Sequence, residues 1–190
     1  MIESVLSGVR DGVPAGTPLV VVTSVHSSDD PMAAYLGSIG QPCFRGPLAD
    51  VLGRFRQGLA QWPCEWVLRI NADSPLLNPA VIRQVLDARN ELLDLVTTTF
   101  PRTFPKGQNA ELIRSAAFLG IDDRDLDDED REHVTRYFYS HADRFRIVNV
   151  VSANSSLADL DLAVDTVEDL VRLENLSLDD TARAAVVSPA

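Results

Sequence analysis

Short apolar runs typical of strands alternate along this chain with longer segments whose apolar residues recur at helical spacing. Val5, Leu6 and Val9, for example, share one helical face, whereas residues 19–22 form a continuous apolar run that predicts a buried strand. This alternation predicts an α/β fold with a mostly parallel sheet covered on both faces by helices. The predicted strands are residues 19–22, 42–44, 66–70, 95–99, 145–150 and 160–164, and the predicted helices are residues 2–9, 30–40, 48–62, 79–91, 129–141 and 166–176.

Composition restricts the class of protein. The net charge of −11 argues against nucleic acid and against an anionic membrane as partners, because phosphate groups require a basic surface. No apolar run approaches the roughly 20 residues of a membrane span, and the first residues lack the layout of a secretory signal. We therefore expect a cytoplasmic protein with one domain over residues 1–176, followed by a mobile tail over residues 177–190.

Asp73 follows the predicted strand 66–70, and Pro75 then breaks the chain before a helix that Asn78 and Pro79 open. In α/β sheets, ligands bind at the carboxyl ends of the strands. A carboxylate in this position is a candidate ligand of Mg²⁺, which takes oxygen ligands and keeps several waters or substrate phosphates. The alternative is a turn aspartate that bonds to its own backbone.

Asp165 is the second candidate ligand, because it follows the predicted strand 160–164. It also precedes Thr166 and Asp169, whose spacing is that of a capping box, so Asp165 or Thr166 could instead cap the last helix. Two carboxylates at one edge of a parallel sheet could share a metal ion. Sequence alone does not show whether the two strands are neighbours.

Other motifs carry weaker signals. Lys106 could reach an anionic ligand or could be a solvated turn residue, and His133 lies on a predicted helix where a single histidine is usually structural or exposed. The acidic run at residues 122–132 departs from the calcium loop of an EF-hand at its glycine and glutamate positions. The chain has no nucleophile elbow, dinucleotide fingerprint or Walker loop, so the corresponding enzyme classes lose support.

Taken together, the ordered motifs resemble those of the sugar cytidylyltransferases, in the branch of the spore-coat polysaccharide and acylneuraminate enzymes. The resemblance covers about residues 1–175, and its specificity comes from the order of the set rather than from any single motif. The matching segments are residues 21–24, 29–31, 44–46, 50–55, 69–76, 102–107, 131–135 and 164–170.

The resemblance implies a Rossmann-like nucleotidyltransferase fold, a three-layer sandwich with a mostly parallel sheet. It implies transfer of CMP from CTP to an acidic sugar with release of pyrophosphate, and a homodimer. It also implies that Asp73 and Asp165 hold Mg²⁺, and that Arg69, Lys106 and His133 contact the acidic sugar or the dimer partner.

The chain departs from the family pattern at its start. Family members open with a strand and a loop, containing arginine, glycine and lysine, that wraps the triphosphate, whereas residues 1–6 here match the helix after that loop. We therefore expect the first strand to be missing, most simply through a truncated reading frame and otherwise because the chain is a decayed copy, with two strand edges left unpaired and activity impaired. The alternatives are a non-catalytic relative, kept as a sugar-binding or dimerising subunit, and an enzyme that transfers another nucleotide.

Overall fold

A computed structural model describes residues 1–176, so the tail predicted over residues 177–190 lies outside the described residues. The chain forms two compact units. The first unit comprises Met1–Thr17, Leu68–Ile113 and the residues from Arg146 onward, and the second comprises Pro18–Val67 and Arg114–Phe145. Within residues 1–176, every helix is too short or too polar to cross a bilayer.

The second unit is built on two parallel strands, β1 (Val21–Ser24) and β2 (Cys43–Gly46), in register from Val21 opposite Cys43 to Ser24 opposite Gly46. Helix α3 (Val51–Gln61) packs against both strands and buries Leu52 and Leu59. Its helices are α2 (Asp30–Ser38), α3 (Val51–Gln61), α5 (Ser115–Leu119), α6 (Asp128–Glu132) and α7 (Arg136–Ser140).

The start of α3 follows directly from its sequence. The carboxylate of Asp50 accepts a hydrogen bond of 2.9 Å from the Gly53 backbone N–H and so caps the helix. A Cβ at Gly53 would lie 2.1 Å from the Asp50 carboxylate, so a larger residue there would displace the capping side chain. The helix therefore begins three residues after the start predicted from apolar periodicity, which does not register a cap.

The four-stranded sheet has the order β3-β5-β4-β6 and lies mainly in the first unit. Strand β4 pairs antiparallel with β5 and parallel with β6. The strands are β3 (Trp66–Ile70), β4 (Leu95–Thr97), β5 (Ala110–Arg114) and β6 (Ile147–Asn149), and the helices of the unit are α1 (Ile2–Gly12), α4 (Pro79–Asp87) and α8 (Val167–Leu176).

The α/β class and the predominance of parallel pairing are confirmed, and α1 buries the apolar face that its periodicity predicts. Helix α1 packs on α4 so closely that a Cβ at Gly12 would meet the Ile82 side chain at 2.8 Å. Among residues 1–176, β1 pairs with β2 alone and β3 with β5 alone. The missing first strand stays a prediction.

Several predicted elements are wrong in extent or type. The run 19–22 is only partly buried, because β1 starts at Val21 and has a single partner strand in the described chain. Strand β5 was not predicted, since a proline- and glycine-rich segment precedes it. Residues 160–164 form an isolated bridge at Asp161 instead of a strand, and the predicted helix 129–141 is broken between α6 and α7.

Candidate metal and substrate site

Asp73 lies in a turn after β3 that is fixed from two sides. The Ser74 hydroxyl donates a hydrogen bond of 2.7 Å to the Asp73 carboxylate. The buried side chain of Gln108 accepts from the Asn78 backbone N–H at 2.9 Å and donates to the Leu76 carbonyl at 2.8 Å. The turn that presents Asp73 is therefore held by Gln108, whose role was not predicted because the residues lie 30 positions apart in the chain.

Asp165 is brought beside Asp73 through the backbone. The N–H of Val164, which immediately precedes Asp165, donates to the backbone carbonyl of Asp73 at 2.9 Å. Both residues belong to the first unit. The two candidate ligands thus lie on neighbouring segments, although the second segment is not a strand as the sequence predicts.

The side chain of Asp165 does not cap the last helix. Thr166 Oγ1 accepts from the Asp169 N–H at 3.2 Å, and the Asp169 carboxylate accepts in return from the Thr166 N–H at 3.0 Å. Hydrogen bonds from Arg172 and Thr166 lower the pKa of Asp169 to about 2. Thr166 and Asp169 therefore form the predicted capping box, which leaves the Asp165 carboxylate available for another partner.

That partner is Lys106. Its ammonium donates to Asp165 at 2.8 Å and to Asp161 at 3.0 Å, and all three side chains are about half exposed. Hydrogen bonds to Asp165 and then to Asp161 raise the pKa of Lys106 above its usual value. Burial acts to raise the pKa of Asp161, but the Ala163 N–H and Lys106 outweigh it, so that pKa lies below its usual value. We call Lys106, Asp161 and Asp165 the lysine cluster.

The donor chemistry fits a divalent cation that takes part of its coordination from a substrate. Residues 1–176 contain no group of three or more histidine, cysteine or acidic side chains arranged to hold a metal. Mg²⁺ commonly uses one or two carboxylates and completes its shell with water and phosphate oxygens. Asp73 and Asp165 are the residues that would hold such a cation, with Asp165 exchanging its contact with Lys106.

Arg69 and His133 lie in different surroundings. Arg69, on β3, donates to the buried carboxylate of Glu111 on β5, so its guanidinium is engaged within the sheet of the first unit. His133 ends α6 in the second unit, with its backbone N–H bonded to Glu129 and its side chain exposed. Asp73, Asp165, Lys106 and Arg69 thus share one unit, and His133 belongs to the other.

A second charged cluster, not predicted from sequence, lies at the carboxyl ends of β1 and β2. The Asp29 carboxylate accepts from the Thr23 hydroxyl, the Ser24 hydroxyl and the Ser24 N–H at 2.7, 2.6 and 2.9 Å. These bonds, with those of Ser24 the largest cause, hold the pKa of Asp29 well below its usual range. Asp29 is therefore satisfied by neutral donors.

Two arginines complete this second cluster. Arg45 donates to the carbonyls of Ser24 and His26 and to Asp30. Arg54 is 8% exposed, and its Nε is buried without an acceptor in the part of the chain that the structure describes. Burial lowers the pKa of Arg54, against the influence of Asp29 and Asp50. The segments that carry these residues are among the motifs that resemble the family, but only the fold shows that the segments lie together.

Two curated proteins are similar to this chain over most of its length. The spore coat polysaccharide biosynthesis protein SpsF of Bacillus subtilis is 26% identical over 160 residues, which are 83% of this chain and 66% of that protein. The chain spans less than two thirds of the length of the curated relatives that it matches.

Solved structures with low sequence identity share the fold. A cytidylyltransferase from Leptospira borgpetersenii serovar Hardjo-bovis has a TM-score of 0.84 at 20% identity, covering 94% of this chain and 76% of that one. A Mycobacterium tuberculosis protein in complex with manganese has a TM-score of 0.57 at 16% identity, covering 90% of this chain and 84% of that one. The family model for cytidylyltransferases matches residues 1–181, and the chain therefore belongs to the cytidylyltransferase family.

Proposed function

We propose that this chain catalyses transfer of CMP from CTP to an acidic sugar, with release of pyrophosphate, as a cytoplasmic homodimer. The single observation that supports the proposal is the hydrogen bond from the Val164 N–H to the Asp73 carbonyl, because it joins the turn that carries Asp73 to the segment that carries Asp165. Membership of the cytidylyltransferase family supports the same assignment.

In this proposal Asp73 and Asp165 hold Mg²⁺, and a solved neighbour in complex with manganese supports a divalent cation. When bound, the cation would neutralise the negative charge that develops on the leaving pyrophosphate. Gln108 keeps the Asp73 turn in place by binding the backbone on both sides of Leu77. Holding the carboxylates in a fixed position matters because phosphoryl and nucleotidyl transfer depend mainly on positioning and charge.

The resemblance implies that Lys106, Arg69 and His133 contact the acidic sugar or the dimer partner. Within the first unit, Lys106 and Arg69 are the proposed contacts of the sugar, and the role of His133 stays a prediction. Lys106 is half exposed and carries the positive charge that a sugar carboxylate requires. Arg69 would have to share its guanidinium between Glu111 and the sugar. Its proposed role is therefore to orient the sugar, because its charge is already paired with that of Glu111.

Pyrophosphate release tests the proposal. The purified chain is incubated with CTP, Mg²⁺ and, in turn, an octulosonate and a neuraminate. We expect one sugar to support slow release, in line with the impaired activity predicted from the sequence, and Asp73→Asn to reduce the rate at least about 100-fold, since a lost cation ligand removes several kcal/mol of charge stabilisation. Asp87→Asn, on the exposed end of α4, is the matched control and should leave the rate unchanged.

The alternative function is a non-catalytic, sugar-binding or dimerising relative. The pairing of Lys106 with Asp165 favours it, because this contact occupies a proposed metal ligand. Binding of an acidic sugar or self-association, without binding of CTP and without pyrophosphate release, would establish the alternative and refute the enzyme.

A further inference from the structure

We propose that Lys106 is the built-in counter-ion of the metal site: its ammonium competes with the divalent cation for Asp165 and is released when that cation binds. This inference rests on the proposed function, because it takes Asp73 and Asp165 as metal ligands. It concerns the state of Lys106 before substrate binds. Binding of the metal ion breaks the contact between Lys106 and Asp165, so metal binding and exposure of the lysine occur together.

The backbone places the ammonium where it competes. Lys106 forms an isolated parallel bridge with Asp161, in which its N–H donates to the Leu160 carbonyl at 3.0 Å and its carbonyl accepts from the Leu162 N–H at 2.8 Å. Gly107 then turns with a φ of +88° directly against the Leu162 backbone. The side chain therefore starts from a fixed point beside the segment that ends in Asp165.

The same segment places Asp165 within reach of both cations. Val164, immediately before it, is bonded to Asp73, and the Asp165 N–H is held by the Asp169 carboxylate at 3.2 Å. The helix cap uses Thr166 and Asp169, so the Asp165 carboxylate has no capping role to give up. A divalent cation between Asp73 and Asp165 would bring a second positive charge close to the ammonium on Asp165, and the repulsion between the two cations favours displacement of the ammonium.

The exchange is feasible because the pair is exposed. The side chains of Lys106 and Asp165 are 44% and 59% exposed, and ion pairs of this exposure contribute little to stability. Asp161 would keep one hydrogen bond to the displaced ammonium, so that Lys106 moves away from Asp165 without losing every partner. The released ammonium is then available to an anion while the cation stays bound.

Mn²⁺ binding to the purified chain, measured by calorimetry without nucleotide, tests the competition. We expect Lys106→Met to tighten Mn²⁺ binding about tenfold, because it removes both the competitor and the repulsion between the two positive charges. Arg83→Met removes the same charge from a helix side chain that donates to the Asp11 carbonyl, and it should change the affinity less than about twofold. Thermal unfolding of each variant checks that it is folded.

Lys106 also offers a direct readout, because it is the only lysine in the chain. An amine-selective acylating reagent followed by mass spectrometry therefore reports on two groups, Lys106 and the N-terminal amine. We expect saturating Mg²⁺ to increase labelling of Lys106 several-fold, with the N-terminal amine unchanged, and the increase to disappear in Asp165→Asn.

The outcomes distinguish failure of the counter-ion role of Lys106 from failure of the shared metal site. If the wild-type chain binds Mn²⁺ through Asp73 and Asp165, but Lys106→Met does not tighten binding or Mg²⁺ does not increase labelling, the counter-ion role is wrong and the proposed function stands. If Asp73→Asn and Asp165→Asn leave Mn²⁺ binding unchanged, or none of the proteins binds Mn²⁺, the shared metal site and the counter-ion role both fail.

Discussion

Each unit of this protein contains a cation flanked by two carboxylates, and the two arrangements differ in what they allow. In the first unit, the exposed ammonium of Lys106 is hydrogen-bonded to both Asp161 and Asp165. In the second, Arg54 is buried and interacts electrostatically with Asp29 and Asp50, and its Nε has no acceptor among residues 1–176. The exposed cluster is well bonded but exchangeable, whereas the buried cation is confined by packing.

This difference in exposure determines which of the two cations can be exchanged. An exposed ion pair can break when a competing cation arrives, because water solvates each partner. A buried guanidinium cannot be exchanged for another cation without a large desolvation cost. The Arg54 side chain is also tightly packed, because a Cβ added at Gly46 would lie 2.9 Å from it. Exchange chemistry is therefore expected in the first unit, and a fixed charge in the second.

Gly107 offers the largest expected effect, since it supports the exchangeable cluster. A Cβ at this position would lie 2.6 Å from the Leu162 carbonyl carbon, and the φ of +88° adds strain for any L side chain. We expect Gly107→Ala to destabilise the protein by about 2–4 kcal/mol and to separate Lys106 from Asp165.

The matched control is Gly16→Ala. Gly16 has a similar φ of +82°, but a Cβ added there would have no neighbouring atom within 4 Å, so this variant isolates the conformational cost. That cost is about 1 kcal/mol. Urea unfolding of both variants measures the difference. Equal losses of stability would mean that the close approach to Leu162 does not hold the lysine cluster.

Substitution of each arginine in the second cluster compares how much the two side chains contribute to stability. Arg45 is 30% exposed but donates to two carbonyls and to Asp30, whereas the more buried Arg54 has no acceptor at Nε in the described part of the chain. We expect Arg45→Met to cost about 1–2 kcal/mol of unfolding free energy and Arg54→Met less than about 1 kcal/mol. A larger loss for Arg54→Met in urea unfolding would show that its charge is required where no hydrogen bond reveals it.

The sequence predicts the elements that depend on local signals. Strand β3 has the predicted bounds, the cap of α4 at Asn78 was expected from Asn78-Pro79, and the capping box after Asp165 forms as its spacing indicates. Strand β5 and the broken helix between α6 and α7 were not predicted, because tertiary contacts decide both. Local pattern alone does not contain those contacts.

The candidate site also combines features that local sequence predicts with features that depend on tertiary contacts. Asp73 and Asp165 stand out because each follows a strand-like run, and their proximity through Val164 supports that interpretation. The roles of Gln108 as a brace and of Lys106 as a partner of Asp165 depend on pairs 30 to 59 positions apart. The Lys106 pairing follows from the backbone bridge between Lys106 and Asp161, and no local sequence motif encodes either pairing.

The central claim is that Asp73 and Asp165 hold one divalent cation together, and a double-mutant cycle on Mn²⁺ affinity tests it most directly. Affinity is measured for the wild-type chain, Asp73→Asn, Asp165→Asn and the double variant. We predict that each single change weakens binding at least about tenfold and that the double change costs clearly less than the two losses combined. Additive losses, or a single variant with wild-type affinity, would show that the two carboxylates do not share a cation.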